Sequence, residues 1–506
     1  MKLSDLIPKG LKAKALSEGF FNSGSGNRRP TKGYNPKEIE PTQVQLRDLS
    51  GLRAKSQELF KNHPKAKGII QTLTTYTIGT GLDLDIQFDN TVLQLSDQEL
   101  SDLKNRVELL WSVYNKECDA TGRFTLDMLQ SMIFKGMLTD GESFIFLPIV
   151  PAVGKEMFSS KIRYIPAAQV GNDTGKKNTS MLQNGVVLGA FGKPTGFRIH
   201  SKFPATTEKD DIKKVVTTVN VFDGERKQML QVFCPDFVNQ YRGYPLLSTI
   251  IEPLKSGDDY SALELMAARF NAAFFAVGPW SDATGVETAV DPSFAGDQTL
   301  SQTTDAGDFG MNSVWFSNDP EKWKFVPPNR PNAQYGDFMQ ARHQEESMGV
   351  GLPPEVINKK YETSFSAARS AQADAHRVFK TYALAFKEMF MRPIYENFFD
   401  EAVAKGLIEA RGYMEDPLTR SAYLKADFTG AAMTQLDPAK EAKAYEIYID
   451  NNIMTKDEVS MIVTGKRFID KADQISREKQ LERDKNIVPI DSMEVELEQE
   501  ATNEEE

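Results

Sequence analysis

Asp140 and Glu142, flanking Gly141, have the spacing that most resembles a pair of catalytic carboxylates working as general acid and base. Such a pair needs a base, nucleophile or metal ligand nearby, and the surrounding sequence offers none. Turn chemistry accounts for both: Asp-Gly makes a sharp turn, here feeding the apolar strand-like run at residues 143–150. Gly79-x-Gly81 follows a helical pattern and lacks the third glycine of a dinucleotide fingerprint, so it reads as a helix stop. Two cysteines, Cys118 and Cys234, cannot build a disulfide framework or a Cys-rich metal site. Four histidines, all far apart, do not suggest a zinc or haem constellation. With no Walker A lysine loop, the expectation is a protein that is not an enzyme and needs no cofactor or metal.

The 506 residues, 40% of them apolar, can bury a sizeable core, and the length suits two to four domains. A net charge of −11 argues against tight static binding of duplex DNA, which draws its affinity from Lys and Arg on phosphates. It does not argue against DNA sliding past. The N-terminus lacks a signal-peptide pattern, and nowhere do eighteen apolar residues run together, so no membrane span is expected.

The elements that must position anything functional are mostly helical. Residues 241–278 read as one long helix, with Leu263, Met266, Phe270 and Phe274 continuing an apolar stripe at three- and four-residue steps. About thirty residues at 1.5 Å rise span on the order of 45 Å, more than a small domain is wide. Pro253 and Gly257 predict a bend within it.

Residues 1–40, polar and mildly basic, read as a mobile arm. From Thr42 two helices follow, joined near Asn62 to Pro64, then a strand. Ser96 and Glu99 stand at capping-box spacing before an amphipathic helix, and residues 124–138 predict another. Residues 160–240 hold short β-branched runs, a small mixed or antiparallel sheet with a hairpin turn at Asp223-Gly224. The fold class is therefore α+β, largely helical.

Residues 279–332 are polar, with two short strands carrying Trp315, Phe316, Trp323 and Phe325. Such a thin insertion holds little core of its own, and its aromatics suit a neighbouring subunit or a protein partner. A return helix at 333–348, which includes Phe338, is broken by Gly349, Gly351, Pro353 and Pro354. A loop with Asn358, Lys359, Lys360, Tyr361 and Glu362 precedes a second long helix, 366–405, kinked at Pro393 and stopped by Gly406. Its aromatics are expected to be core. Short helices follow from Asp437-Pro438, one opened by Thr455 and Glu458 at capping-box spacing, and then an acidic tail expected to be disordered.

Several ordered blocks together resemble the lambda-type family of bacteriophage portal proteins, over about residues 45–470. Residues 52–84 resemble its early arginine-containing helix, Asn-x-Pro junction and Val-Gly-x-Gly-like turn, with Ile78 in place of the valine. Residues 111–142 follow its order of Trp, Cys-Asp, Gly, helix and Asp-Gly-Glu. Residues 240–268 resemble its Arg-Gly-x-Pro entry to a stem. Residues 352–369 resemble its Leu-Pro-x-Glu and Ser-Ala-x-Arg segment, with Thr363 to Ser366 departing from the usual Asn-Tyr-Ser-Ser.

The resemblance implies a subunit with an arm (1–40), an α+β wing (41–245), stem helices (246–276 and 333–348) around a small α/β clip (277–332), and a tunnel loop (349–365). A long kinked helix with the wing return (366–427), a helical crown (428–482) and the acidic tail (483–506) complete it. It implies a ring, generally dodecameric, at one capsid vertex of the virion, assembled in the host cytoplasm. Terminase packages double-stranded DNA through the channel; head-tail adaptors, the major capsid protein and scaffold are further partners, and DNA later leaves by the same path. Under it, Asn358 to Glu362 form the tunnel loop touching DNA weakly, and Leu263, Met266, Phe270, Phe274 and Phe338 the stem and subunit interface. Trp315, Phe316, Trp323 and Phe325 become the clip contact for terminase or adaptor. The competing readings are another neck or tail protein, a non-enzymatic DNA-binding scaffold, and a hydrolase with an unrecognised site.

Overall fold

The structure, a computed structural model, describes residues 41–152, 154–173, 177–201, 215–279, 313–317, 334–360, 364–430, 438–464 and 468–485. The proposed arm, Trp323, Phe325, Tyr361, Glu362 and most of the acidic tail lie outside the described residues.

Helices α1 (Pro41–Asn62) and α2 (Pro64–Thr77) meet where the sequence predicted. Pro64 opens α2, and the His63 ring caps it by accepting from the Lys65 and Ala66 amides. Gly79 stops it in a left-handed conformation, φ +61°. Strand β1 (Asp83–Ile86) and a short α3 (Asn90–Leu93) lead to α4 (Asp97–Glu117), which opens on the Ser96/Glu99 capping box. Helix α5 (Leu126–Asp140) ends on Gly141 at φ +88°, turning into β2 (Ser143–Phe146).

The ladders of the β-rich segment are antiparallel, with one isolated parallel bridge between Asp119 and Ile162 among the described residues. Strand β3 (Arg163–Ile165) pairs with β2; β4 (Leu182–Gln183), β5 (Val186–Leu188), β6 (Pro194–His200) and β7 (Val216–Asn220) form a four-stranded sheet. Strands β8 (Phe222–Asp223) and β9 (Arg226–Lys227) make the hairpin turning at Gly224, and β10 (Met229–Val232) pairs with β2.

The long 241–278 helix is shorter than expected. A 3-10 turn at Leu246–Thr249 precedes α6 (Ile251–Ala273), and Phe274 then begins a strand, β11 (Phe274–Pro279), paired in parallel with β12 (Ser313–Ser317). The β-branched and aromatic run after Ala273 finds a strand partner nearly forty residues on, a non-local contact that overrides helical periodicity. Pro253 sits in the first turn of α6, where its missing N–H costs nothing, and the helix continues past Gly257.

Helix α7 (Tyr335–Val350) returns antiparallel to α6, since Tyr260 stacks on Tyr335 at one end while Arg342 donates to the Pro253 carbonyl, 3.3 Å, nearer the other. The expected loop after it is partly helical, with α8 (Pro354–Asn358) inside it. Pro353 and Pro354 read as breakers, yet Pro354 occupies the first helical position.

The second long helix is α9 (Phe365–Phe386) and α10 (Arg392–Ala404), joined by a π turn at Lys387–Met391. The irregularity sits one turn before Pro393, where the missing proline N–H leaves the preceding carbonyls free to re-register. Gly406 ends it at φ +66°. Helix α11 (Pro417–Tyr423) and β13 (Ala426–Thr429) follow, and β13 pairs antiparallel with β1, closing the body. Helices α12 (Pro438–Asp450), α13 (Lys456–Thr464) and α14 (Phe468–Asp484) end the described chain; the Thr455 hydroxyl accepts from the Glu458 amide as predicted.

The aromatics of α9 and α10 are core. Phe398 packs edge-on to Trp111 at 5.0 Å, and Phe386 to Phe134 at 5.6 Å. A smaller core lies under the four-stranded sheet, around Phe144, Val186 and Phe197. Strand β2 joins the two, because alternation sends Phe144 to one and Ile145 to the other.

Candidate functional site

Three places could carry function, and each rests on a different element. The first is the α6/α7 hairpin. Tyr260 meets Phe338 at 4.8 Å, and Ser261 Oγ meets the Tyr335 hydroxyl at 3.0 Å, so one face of each helix is used within the chain. Away from these contacts α6 leaves Leu263 63% and Met266 65% exposed, while Phe338, although it meets Tyr260, is still 45% exposed. Phe270 lies near the end of α6, and Phe274, expected on that helix, belongs to β11. Trp315 and Phe316 stand in β12, in register with Val277 and Gly278.

The hairpin is tied to the body at its base. His63 lies 3.1 Å from Asp258 on α6, and Lys65 forms an ion pair with the buried Glu346 on α7. Neighbouring His343 is pushed below the usual imidazole range, chiefly by burial and also by the Lys65 charge.

The second place is the loop. Asn358 is the last residue of α8 rather than loop, and Lys359 caps that helix in a left-handed conformation at φ +52°. Asn358, Lys359 and Lys360 are all exposed. Lys359 lines a polar cleft of about 330 Å³ shared with Thr75, Tyr76, Ser131 and Lys135.

The third was missed as a site by sequence reasoning. Glu142, read as turn chemistry, is fully buried between two arginines: it forms ion pairs with Arg53 from α1 and with Arg242 in the approach to α6. Arg242 Nε donates to Glu142 Oε1 at 2.6 Å, and its other nitrogens donate to the carbonyls of Ala167 at 3.2 Å, Val170 at 3.0 Å and Asn184. Its guanidinium lies 5.3 Å from the Phe144 ring centre. Gln231 Nε2 at 2.6 Å and the Gly243 amide at 3.2 Å donate to Glu142 Oε2, and Arg53 Nε donates to the Asp140 carbonyl at 2.8 Å. Burial pulls Arg242 down to about 10, with the Glu142 carboxylate opposing it, so Arg242 remains charged at neutral pH. Asp140 is pushed up by burial, partly offset by its hydrogen bond from Gln57.

The backbones touch here too. A Cβ on Gly141 would overlap the Tyr244 backbone, and one on Gly243 would overlap the Gly141 carbonyl. The Asp-Gly-Glu and Arg-Gly-x-Pro segments therefore fit backbone to backbone, with their charged residues crossing between them. The available signal was Arg53, which falls on the buried stripe of α1 with Leu49 and Leu59 where an apolar residue is expected.

This joint has no chemistry to offer a substrate, since every polar atom of Glu142 is already engaged by its neighbours. Both cysteines are free thiols pushed by burial to about 12, far from a reactive thiolate. Among the described residues no group of three or more metal-ligating side chains converges, and no helix is long and apolar enough to cross a membrane.

An α+β body carrying an exposed helical hairpin, locked at its base by buried ion pairs, defines a structural subunit. The chain belongs to the lambda family of phage portal proteins, whose model matches residues 27–382. It is 20% identical to the portal protein of Escherichia phage N15 over 483 residues, covering 90% of this chain and 89% of that one. It is 19% identical to portal protein B of Escherichia phage lambda, covering 89% and 87% respectively. Among solved structures it is similar to a chain from the neck of a native GTA particle computed with C12 symmetry, at 11% identity. That overlap has a TM-score of 0.40 over 83% of this chain and 93% of the other, too loose to define the fold.

Proposed function

We propose that the chain is the repeating subunit of a ring, generally of twelve, at one capsid vertex. Double-stranded DNA is packaged through its channel by a terminase and later ejected. The family match across most of the chain carries this reading. The exposed side of the hairpin supports the ring: Leu263 and Met266 lie bare on a helix whose opposite face is packed, as a heterologous interface with the next subunit requires.

In this reading the α+β body is the wing, α6 and α7 the stem, β11 and β12 part of the clip, and α12 to α14 the crown. Trp315 and Phe316 serve the clip contact with terminase or adaptor, together with Trp323 and Phe325. Lys359 and Lys360, between Glu355 and Glu362, touch passing DNA without gripping it, because strong phosphate contacts would stall motion. The major capsid protein and scaffold are further partners in this reading.

Negative-stain microscopy of the purified protein tests the ring. Packaging with Lys359 and Lys360 both changed to Gln tests the loop: the reading expects altered genome length or retention while rings still form, and normal packaging would refute the loop's role.

A further inference from the structure

We infer that the cleft between α2, α5 and the end of α8 binds a phosphate-type oxyanion. Its lining includes two lysines, Lys135 from α5 and Lys359 from the cap of α8, together with the hydroxyl-bearing residues Thr72, Thr74, Thr75, Tyr76 and Ser131. No carboxylate lines it, and among the described residues neither ammonium forms an ion pair. In a chain of net charge −11, two unneutralised lysines converging on one cleft from separate elements mark a site for an anion.

The cleft volume of about 330 Å³, against roughly 30 Å³ per water molecule, leaves room for a tetrahedral anion with part of its hydration shell. Lysine binds phosphate as a point charge, without the bidentate fork of arginine, which suits an open and exchangeable site.

The anion would bridge Lys359 to the body and fix the start of the loop, leaving Lys360 as the outward cation. The site does not depend on the ring reading. Two sources share its chemistry, free inorganic phosphate and the phosphodiester of DNA.

The test uses the full chain with inorganic phosphate observed by phosphorus NMR, and a short labelled duplex observed by fluorescence anisotropy at matched ionic strength. Saturable broadening of the phosphate line, with affinity falling on the order of tenfold in both Lys135→Gln and Lys359→Gln, supports the site and assigns it to the free ion. No broadening, but duplex binding weakened by Lys135→Gln, supports the site and assigns it to the DNA backbone. Duplex binding unchanged in Lys135→Gln, together with phosphate broadening that is absent or insensitive to both variants, overturns it. Both lysines are solvent-accessible, so unchanged unfolding midpoints confirm that the variants remain folded.

Discussion

Arg242 Nε donates to Glu142 Oε1 at 2.6 Å, joining two segments one hundred residues apart in a place neither can reach water. Around this bond the strand leaving α5, the four-stranded sheet and the entry to the α6/α7 hairpin are held in one arrangement. In the proposed ring the hairpin has to keep a fixed angle to the body. Charge-assisted bonds satisfied on every side give that joint geometric specificity, although a buried ion pair adds little net stability.

Removing one partner leaves the other charge buried and unpaired. Arg242→Met or Glu142→Gln is therefore expected to cost about 3–5 kcal/mol. Urea unfolding monitored by circular dichroism measures it; a loss below 1 kcal/mol would show that the pair is dispensable.

The glycines of the same joint are predicted to be intolerant for a steric reason. Gly141→Ala meets both a φ of +88° and the Tyr244 backbone, and Gly243→Ala meets the Gly141 carbonyl. Both variants should fail to give soluble folded protein. Gly224→Ala, at φ +62° but with open space around it, should cost only about 1–2 kcal/mol. Equal behaviour of the three variants in an expression and melting series would contradict this.

Much of the local structure was legible because its determinants are local. Ser96 with Glu99 and Thr455 with Glu458 satisfy nearby backbone groups, Pro64 fits a first helical turn and Gly141 a left-handed helix stop, each where expected. What escaped depended on distant partners. Phe274 follows a helical stripe without a stop signal and becomes strand through pairing with Ser313. Glu142 looked like turn chemistry because the arginines that bury it come from residues 53 and 242. The family resemblance reached the right class because it spans many ordered blocks at once, although the charged joint between two of those blocks was not foreseen.

Acid should lower the stability of the fold through two partly buried imidazoles, His343 at the base of the hairpin and His376 on α9. His343 and His376 both titrate below the free imidazole value of 6.5, held down chiefly by burial, with Lys65 and Lys380 adding to it. The unfolded chain therefore binds more protons than the folded one as pH falls below about 6.5, and stability is lost there, whereas above that pH both states are neutral at these sites. Asp140 and Glu396, pushed up by burial, have the opposite sign as pH falls into the carboxylate range. The clean readout is the difference between the native chain and a His343→Gln/His376→Gln variant: the variant should lose less stability between pH 7 and pH 5.5. An identical pH profile would refute it.

The exposed hairpin face should matter for assembly more than for folding. Met266→Asp and Leu263→Asp replace side chains that touch solvent in the isolated subunit, so their unfolding curves should stay within about 0.5 kcal/mol of the native chain. Native mass spectrometry should then show a shift from ring to free subunit. An intact ring in both variants would remove this face from the subunit interface.

Electron microscopy of the purified protein shows directly whether the proposed ring with a channel for DNA forms. Closed rings of uniform rotational symmetry are expected, with a central tunnel wide enough to pass a DNA duplex. Monomers, open filaments, or rings whose tunnel is too narrow for duplex DNA under assembly conditions would contradict it.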